Sequence, residues 1–183
     1  LGLFALFRSE GSTEVEYPKL PIRIEAHRGA GRLAAENTRE AFEMAIELGI
    51  DGIEIDVWLS KDKVPIVVHG LPFPNKGLVE LKSGRQKITE MNSKKLKDYI
   101  LKNGERILTL AETLDVCKDR ISLNIEFKDW RVEVVDRVLD VLQEKNMLKQ
   151  VSFSSFNHTL RKRLTIETVR RKLEPISFGY ITS

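Results

Sequence analysis

The stretch that decides the fold is Ile53-Glu54-Ile55-Asp56-Val57-Trp58. Its apolar and polar side chains alternate with a period of two, which is the pattern of a β-strand with one buried face and one polar face. Glu54 and Asp56 share the polar face, because residues two apart on a strand point to the same side. The stretch therefore predicts a strand whose apolar side is covered and whose other side carries carboxylates.

The same alternation returns at residues 121–127, where Glu126 and then Lys128 occupy the polar side. Segments of helical periodicity separate most of the predicted strands, so strands and helices alternate along the chain. This order favours a parallel sheet with helices outside. Six strands are predicted, at residues 22–27, 53–58, 65–69, 121–127, 150–154 and 176–181. Helices are predicted from Asn37 as the N-terminal cap, over 93–102, from Thr109, over 132–145 and from Asn157, and residues 70–86 are predicted to form a long loop.

Polar residues at the ends of strands occur both in open sheets and in closed barrels. The polar faces of the predicted strands distinguish the two folds. In an open sheet both faces are covered by helices, so carboxylates in mid-strand would be costly to bury. In a barrel the second face is the interior, where converging strands can direct several polar groups to one point. We therefore predict an α/β fold of the (β/α)8 barrel type. A complete barrel takes roughly 250 residues, so we expect this one to be truncated after about six strands.

The composition is that of one soluble domain with a core, since 42% of the 183 residues are hydrophobic and 31% are charged. A net charge of +3 is too small to indicate nucleic acid as the main partner. The single Cys117 excludes a disulfide framework within the chain and leaves the compartment open.

The first 21 residues are predicted to lie outside the domain, which would span 22–183. The apolar run Leu1–Phe7 is shorter than the roughly 20 residues that cross a membrane, and it is interpreted as a packed terminus or as the end of a longer membrane or signal segment. Residues 10–21 have the composition of a linker. Membrane association through this segment is left open, as is a cytoplasmic location.

Glu54 and Asp56 could hold one hard cation together, and Glu126 from a neighbouring strand could complete the set. The expected ion is Mg²⁺ or Ca²⁺, because the chain offers oxygen ligands and few sulfur or imidazole groups. The alternative is that the carboxylates only form ion pairs with Arg28 or Lys128.

His27 and His69 are expected at the ends of the first and third strands, on opposite sides of the acidic strand. Imidazoles titrate near neutral pH, so one could accept a proton from an attacking hydroxyl or water while the other protonates the departing alkoxide. Arg28 and Lys128 would supply the positive charge that a phosphodiester requires.

Several of these segments together resemble the glycerophosphodiester phosphodiesterase family, whose barrels are related to phosphatidylinositol-specific phospholipase C. The resemblance rests on His27-Arg28-Gly29, Glu36-Asn37-Thr38, Glu54-x-Asp56, Val67-Val68-His69, Asn124-Ile125-Glu126-Phe127-Lys128, Ser154-Ser155-Phe156 and Gly179-Tyr180. It implies hydrolysis of a glycerophosphodiester to an alcohol and glycerol 3-phosphate. His27 and His69 would be the acid/base pair, Glu54, Asp56 and Glu126 the metal ligands, and Arg28 and Lys128 the phosphate contacts.

The chain departs from the family pattern in two places. Gly70 and the Leu71-Pro72-Phe73-Pro74 segment follow His69 where the family usually carries Asp and an Asp-x-x-Leu-x-Arg run. The last two strand units of the family barrel are absent, and we therefore expect the sequence to be a fragment of a barrel.

Three other functions remain open from the sequence. The first is a phospholipase D acting on lysophospholipids at a membrane, which the apolar Leu1–Phe7 would suit. The second is a truncated barrel that binds but does not turn over. The third is binding of nucleic acid or anionic lipid by the basic run 161–172, although most such runs are the solvated face of a helix.

Overall fold

The computed structural model describes residues 23–70, 78–81, 84–98, 100 and 104–180. Within these residues the strands are β1 (Glu25–His27), β2 (Gly52–Leu59), β3 (Pro65–Val67), β4 (Leu78–Leu81), β5 (Gly84–Lys87), β6 (Leu108–Thr109), β7 (Ser122–Phe127), β8 (Val151–Ser155) and β9 (Phe178–Tyr180). The α-helices are α1 (Arg39–Glu47), α2 (Ser93–Asp98), α3 (Leu110–Cys117), α4 (Glu133–Lys145) and α5 (His158–Arg170).

The main sheet is built around a parallel core of β1, β2, β7, β8 and β9. Its order is β6-β3-β2-β7-β8-β9, and β1 pairs with the first half of β2. Helix α1 connects β1 to β2, α4 connects β7 to β8, and α5 connects β8 to β9. The predicted α/β organisation with a parallel sheet is confirmed.

The apolar core lies between the sheet and the helices. On β2 the outward residues Ile53, Ile55 and Val57 are fully buried, and they belong to one cluster with residues of α1, α3, α4 and β7. Phe127 of β7 stacks on Phe153 of β8 with ring centroids 5.2 Å apart. Because alternate residues of β2 and β7 face this core, the polar residues between them are directed to the other side of the sheet.

The region after β2 differs from the prediction in two respects. The third strand, β3, runs antiparallel to β2, because the connection through Lys61-Asp62-Lys63 is too short for the crossover that a parallel neighbour needs. The predicted long loop contains an antiparallel hairpin, β4–β5. Val79 of β4 packs in a second apolar cluster with Trp58 and Ile88. This hairpin lacked a clear alternating pattern because little of it is buried.

The turn between β1 and α1 depends on Gly29. This residue has φ +76°, and a Cβ atom there would lie 2.9 Å from both the carbonyl carbon of Ala41 and Cδ1 of Phe42. Ala30 N also donates to Ala41 O at 2.9 Å, so the turn sits directly on the first turn of α1. Glycine is therefore required here for two reasons, the backbone conformation and the close packing against α1.

Gly29→Ala is expected to destabilise the fold by roughly 1–3 kcal/mol, because it combines a disfavoured backbone conformation with a steric clash. The free energy of unfolding in urea measures this loss. The matched control is Gly49→Ala, since Gly49 has φ +68° but no atom lies within 4 Å of the position that an added Cβ would take. Equal losses in the two variants would contradict the packing argument.

The basic run in α5 is largely neutralised by acidic neighbours. Glu167 is 1% exposed and accepts hydrogen bonds from Arg170 and Arg171. Arg163 lies 3.0 Å from Glu167 and also pairs with Asp136 of α4. Arg163 and Arg171 connect α5 to α4 through Asp136 and Asp140, whereas Arg170 pairs with Glu167 within α5.

Stability is expected to depend on pH through Glu167. Hydrogen bonding from Arg170, opposed by burial, holds the pKa of this carboxyl at about 2, below its ordinary value of 4.5. The folded chain thus binds this proton less tightly than the unfolded chain, so the stabilisation is complete above about pH 4.5 and is lost as the pH falls toward 2. Glu167→Gln should lower the melting temperature at pH 7, and the difference from the wild type should shrink on acidification. Glu174→Gln, at an exposed ion pair with Lys149, should leave the melting profile unchanged.

Over the described ranges, no helix combines the length and the apolar character that crossing a bilayer would require. Leu1–Phe7 and the linker at 10–21 lie outside the described residues.

Candidate active site

Three carboxylates meet on the polar side of β2 and β7. Asp56 lies directly opposite Glu126 in the register between these strands, and Glu54 lies two residues earlier on β2. Their side chains are at most 9% exposed. One oxygen from each lies within 4.8 Å of the others, which is close enough for a single cation to contact all three.

Arg28 and Lys128 approach this trio, Arg28 from the end of β1 and Lys128 from the end of β7. Arg28 Nε lies 3.2 Å from Asp56 Oδ2, while Lys128 Nζ lies 3.2 Å from Asp56 Oδ1 and 2.5 Å from Glu126 Oε1. The ion pairs that were the alternative interpretation of the carboxylates are therefore present. Even with these ion pairs, the three carboxylates of the trio outnumber the two basic groups, Arg28 and Lys128.

The excess of negative charge appears as shifted pKa values. Burial, reinforced by the charges of Asp56 and Glu126, raises the pKa of Glu54 to about 8. Burial opposes the charged form of Lys128, but Asp56 and Glu126 outweigh it and raise the pKa of the ammonium group. A cation that binds the trio must therefore compete with the proton on Glu54.

Unpaired oxygens test whether a divalent metal fits this trio. Glu54 Oε1, Asp56 Oδ1 and Glu126 Oε1 are buried without a hydrogen-bond partner. Lys128 Nζ lies 3.2 Å from Asp56 Oδ1 and 2.5 Å from Glu126 Oε1, so Lys128 balances part of the charge of these two oxygens. Unsatisfied buried carboxylate oxygens are costly, and Mg²⁺ and Ca²⁺ prefer such oxygens. The residues present therefore fit a hard divalent cation.

His27 and His69 border the cluster in different environments. His27 Nε2 lies 3.8 Å from Glu54 Oε2, and its side chain is 70% exposed. His69 is more enclosed, and Trp58 Nε1 donates to its carbonyl oxygen at 3.2 Å. Burial lowers the pKa of His69 below its ordinary value of 6.5. His69 is thus mainly neutral at pH 7, the form that can accept a proton.

The sequence predicted that the two histidines lie on opposite sides of β2, and this prediction is wrong. His27 pairs in register with Glu54, and β3, which precedes His69, pairs with residues 57–59 of β2. Both partners use the same edge of β2, because β7 occupies the other edge along residues 52–57.

Asn37 has a different role from the predicted helix cap. The cap of α1 is Thr38, whose side chain accepts from Ala41 N. Asn37 instead has φ +57° and is buried, and it donates from Nδ2 to Asp56 Oδ2 at 2.8 Å and accepts from Asp56 N at 3.3 Å. It fixes the orientation of the central carboxylate.

Glu36 is a second site residue, besides Asn37, whose role was not predicted from the sequence. Arg28 Nη1 donates to Glu36 Oε2 at 2.7 Å, and Glu36 Oε1 lies 3.9 Å from His69 Nδ1. Glu36 therefore connects the basic group beside Asp56 to the second histidine. Both residues belong to the Glu36-Asn37-Thr38 motif of the family resemblance, which was the available signal, but only Asn37 was given a role, that of a helix cap.

The structure describes only part of the segment after His69, where the sequence departs from the family pattern. Gly70 has φ +79°, a conformation that suits glycine at the exit from the site. The segment Leu71-Pro72-Phe73-Pro74 lies outside the described residues.

The fold and the cluster define an α/β barrel protein with a candidate divalent-metal centre at the carboxyl ends of its strands. The model of the Glycerophosphoryl diester phosphodiesterase family matches residues 27–178, and the chain belongs to this family. It is similar to the glycerophosphodiester phosphodiesterase of Caldanaerobacter subterraneus subsp. tengcongensis, with 35% identity over 144 residues that cover 73% of this chain and 57% of that protein.

Solved structures agree with this assignment. One is a glycerophosphodiester phosphodiesterase from Thermotoga maritima, with a TM-score of 0.65 and 32% identity over 88% of this chain and 63% of that one. Another is a phosphodiesterase from Oleispira antarctica in complex with the product sn-glycerol-3-phosphate, with a TM-score of 0.72 and 26% identity over 88% of this chain and 66% of that one. The predicted (β/α)8 fold class and the predicted family are confirmed.

The chain spans about three fifths of the length of the relatives it matches. The part in common contains the carboxylate trio, both histidines and both basic residues.

Proposed function

We propose that this chain carries the active site of a metal-dependent phosphodiesterase that hydrolyses glycerophosphodiesters to an alcohol and glycerol 3-phosphate. The observation that carries this proposal is the buried trio of Glu54, Asp56 and Glu126, whose oxygens lie within reach of one cation, beside Arg28 and Lys128. The complex of the Oleispira relative with its product supports the substrate class. We assign residues 22–183 to the phosphodiesterase domain and residues 1–21 to a preceding segment.

Glu54, Asp56 and Glu126 would hold Mg²⁺ or Ca²⁺, which when bound neutralises charge on the phosphoryl group. Arg28 and Lys128 would bind non-bridging phosphate oxygens. Arg28 would use the guanidinium donors that Glu36 and Asp56 leave free, and Lys128 would supply a point charge. Positive charge fixed before the reaction begins stabilises the five-coordinate transition state most effectively.

His27 and His69 would move the protons. One takes the proton of the attacking water or hydroxyl as the new oxygen–phosphorus bond forms, and the other gives a proton to the alkoxide as the ester bond breaks. The lowered pKa of His69 supports it as the proton acceptor. His27, open to solvent beside Glu54, then serves as the donor.

Release of glycerol 3-phosphate from glycerophosphocholine tests this function. Turnover should require added Mg²⁺ or Ca²⁺ and should stop with EDTA. A folded chain that binds the cation and both substrate and product but releases no glycerol 3-phosphate would instead support the non-catalytic alternative.

A second candidate function is cleavage of lysophospholipids by a phospholipase D-type reaction. Three large apolar side chains are exposed near the ends of the catalytic strands: Leu33 at 56%, Trp130 at 61% and Phe156 at 47%. Phe156 also lies 5.7 Å from Lys128 Nζ, measured to the ring centroid. Such a rim could contact an acyl chain or a lipid surface.

Assaying lysophosphatidylcholine beside glycerophosphocholine separates the two substrates. If the rim binds an acyl chain, Leu33→Ser should reduce turnover of the lysophospholipid and leave glycerophosphocholine turnover unchanged. Equal effects on the two substrates would exclude a lipid-specific role for this rim.

A further inference from the structure

Ser154 is an additional polar residue at the level of the carboxylates. The strand registers align Asp56 on β2 with Glu126 on β7, and Glu126 with Ser154 on β8. Ser154 is 4% exposed, and its hydroxyl oxygen is buried without a hydrogen-bond partner. It therefore lies next to the trio on the side opposite to β1.

Neighbouring serines on β8 differ from Ser154 in this respect. Ser152 Oγ donates to Leu123 O at 3.4 Å. Ser155 Oγ donates to Phe127 O at 3.2 Å and accepts from Asn157 N at 3.0 Å. Both hydroxyls are satisfied by the protein, whereas the hydroxyl of Ser154 is not. Buried hydroxyls normally have partners, so an unsatisfied one beside a polar cluster indicates a partner from outside the chain.

Space for such a partner exists beside Ser154. The aligned residue on β9 is Gly179, which has no side chain, and a Cβ atom there would meet its nearest neighbour only at 3.8 Å. Glycine is thus not required at this position by the backbone. Its effect is to leave unfilled volume on the β9 side of Ser154, at the position that a side chain of residue 179 would take.

We propose that the Ser154 hydroxyl binds a phosphoryl oxygen of the ligand, from the β8 side of the site. This inference rests on the proposed function and adds a phosphate contact to it. Arg28 and Lys128 are already paired with carboxylates, so they cannot give all their donors to phosphate. Ser154 offers a neutral O–H donor that no protein group uses. Arg28 and Ser154 then hold the phosphate from the β1 and β8 sides of the trio.

Calorimetric binding of glycerol 3-phosphate and of inorganic phosphate to the metal-saturated chain tests this proposal without turnover. Ser154→Ala should weaken both affinities about tenfold, or about 1.4 kcal/mol. The affinity for Mg²⁺ or Ca²⁺ should stay unchanged, and the melting temperature should stay level or rise, because an unsatisfied buried hydroxyl is removed. Ser152→Ala is the matched control and should leave both ligand affinities at wild-type values.

A second variant, on β9, tests whether the space beside Ser154 is used by the ligand. Gly179→Ala should fold, because the added methyl meets no close atom, and it should weaken phosphate binding by narrowing the region beside Ser154. Unchanged phosphate affinity in Ser154→Ala would overturn the proposal, as would failure of the wild-type chain to bind phosphate. Loss of metal affinity in Ser154→Ala would also overturn it, because the hydroxyl would then act on the metal. Phosphate binding without hydrolysis would contradict only the proposed function.

Discussion

Replacing Asp56 with asparagine is expected to weaken binding of Mg²⁺ or Ca²⁺ by at least roughly 100-fold, or about 2.7 kcal/mol. Asp56 is fully buried at the centre of the cluster, where it faces Arg28 and Lys128 and accepts a hydrogen bond from Asn37. The amide keeps the shape of the side chain but removes its charge. Calorimetric titration with each cation measures the loss, and turnover should fall with it.

The same substitution also disturbs buried ion pairs, so a control for stability is needed. Asp129 provides one, because it is 2% exposed, pairs with Arg131 and accepts from Leu59 N, yet it does not belong to the trio. Asp129→Asn should lower the melting temperature while leaving cation affinity unchanged. If Asp56→Asn binds the cations within threefold of the wild type, the assignment of the metal ligands is wrong.

Loss of either candidate catalytic histidine is expected to reduce turnover by roughly 10²–10⁴-fold, the usual contribution of a positioned general acid or base. The relevant variants are His27→Gln and His69→Gln, assayed at saturating metal. The affinity for the cation should remain, because the carboxylates are unchanged. The double variant should lose little more than the worse single variant, since the two groups act in one reaction.

The leaving group distinguishes the acid from the base. An activated ester with a nitrophenolate leaving group needs no protonation, so it should restore much of the turnover of His27→Gln and little of that of His69→Gln. His158→Gln serves as the control, because His158 is exposed at the start of α5 and belongs neither to the carboxylate trio nor to the pair of candidate catalytic histidines. Turnover above one tenth of the wild-type rate in both His27→Gln and His69→Gln would refute acid/base roles for these residues.

Local sequence patterns predicted the parts of the site that depend on strand parity. The period-two alternation in β2 and β7 placed Glu54, Asp56 and Glu126 on one face, and the register of these strands brings Asp56 opposite Glu126. The start of α3 at Thr109 was also predicted, and a capping box between Thr109 and Glu112 is present there. Such features follow from residues a few positions apart, so the sequence alone carries them.

Features that depend on contacts between distant residues were missed. Asn37 was predicted as a cap, and its hydrogen bonds to Asp56 join residues 19 positions apart. Glu36 contacts His69 only because the turn after β1 brings both to the same place. The antiparallel pairing of β3 was missed as well, although the short connection from β2 could have indicated it.

The sequence by itself determined that apolar and polar faces alternate on the central strands, and therefore that a barrel could direct three carboxylates inward. The tertiary structure alone decided how those charges are balanced. Arg28 and Lys128 reach Asp56 from two different strands, while Ser154 lies opposite Glu126 on β8 and Gly179 lies opposite Ser154 on β9. The reason is physical: the face of a strand follows from local periodicity, whereas electrostatic pairing depends on distances between segments that only folding brings together.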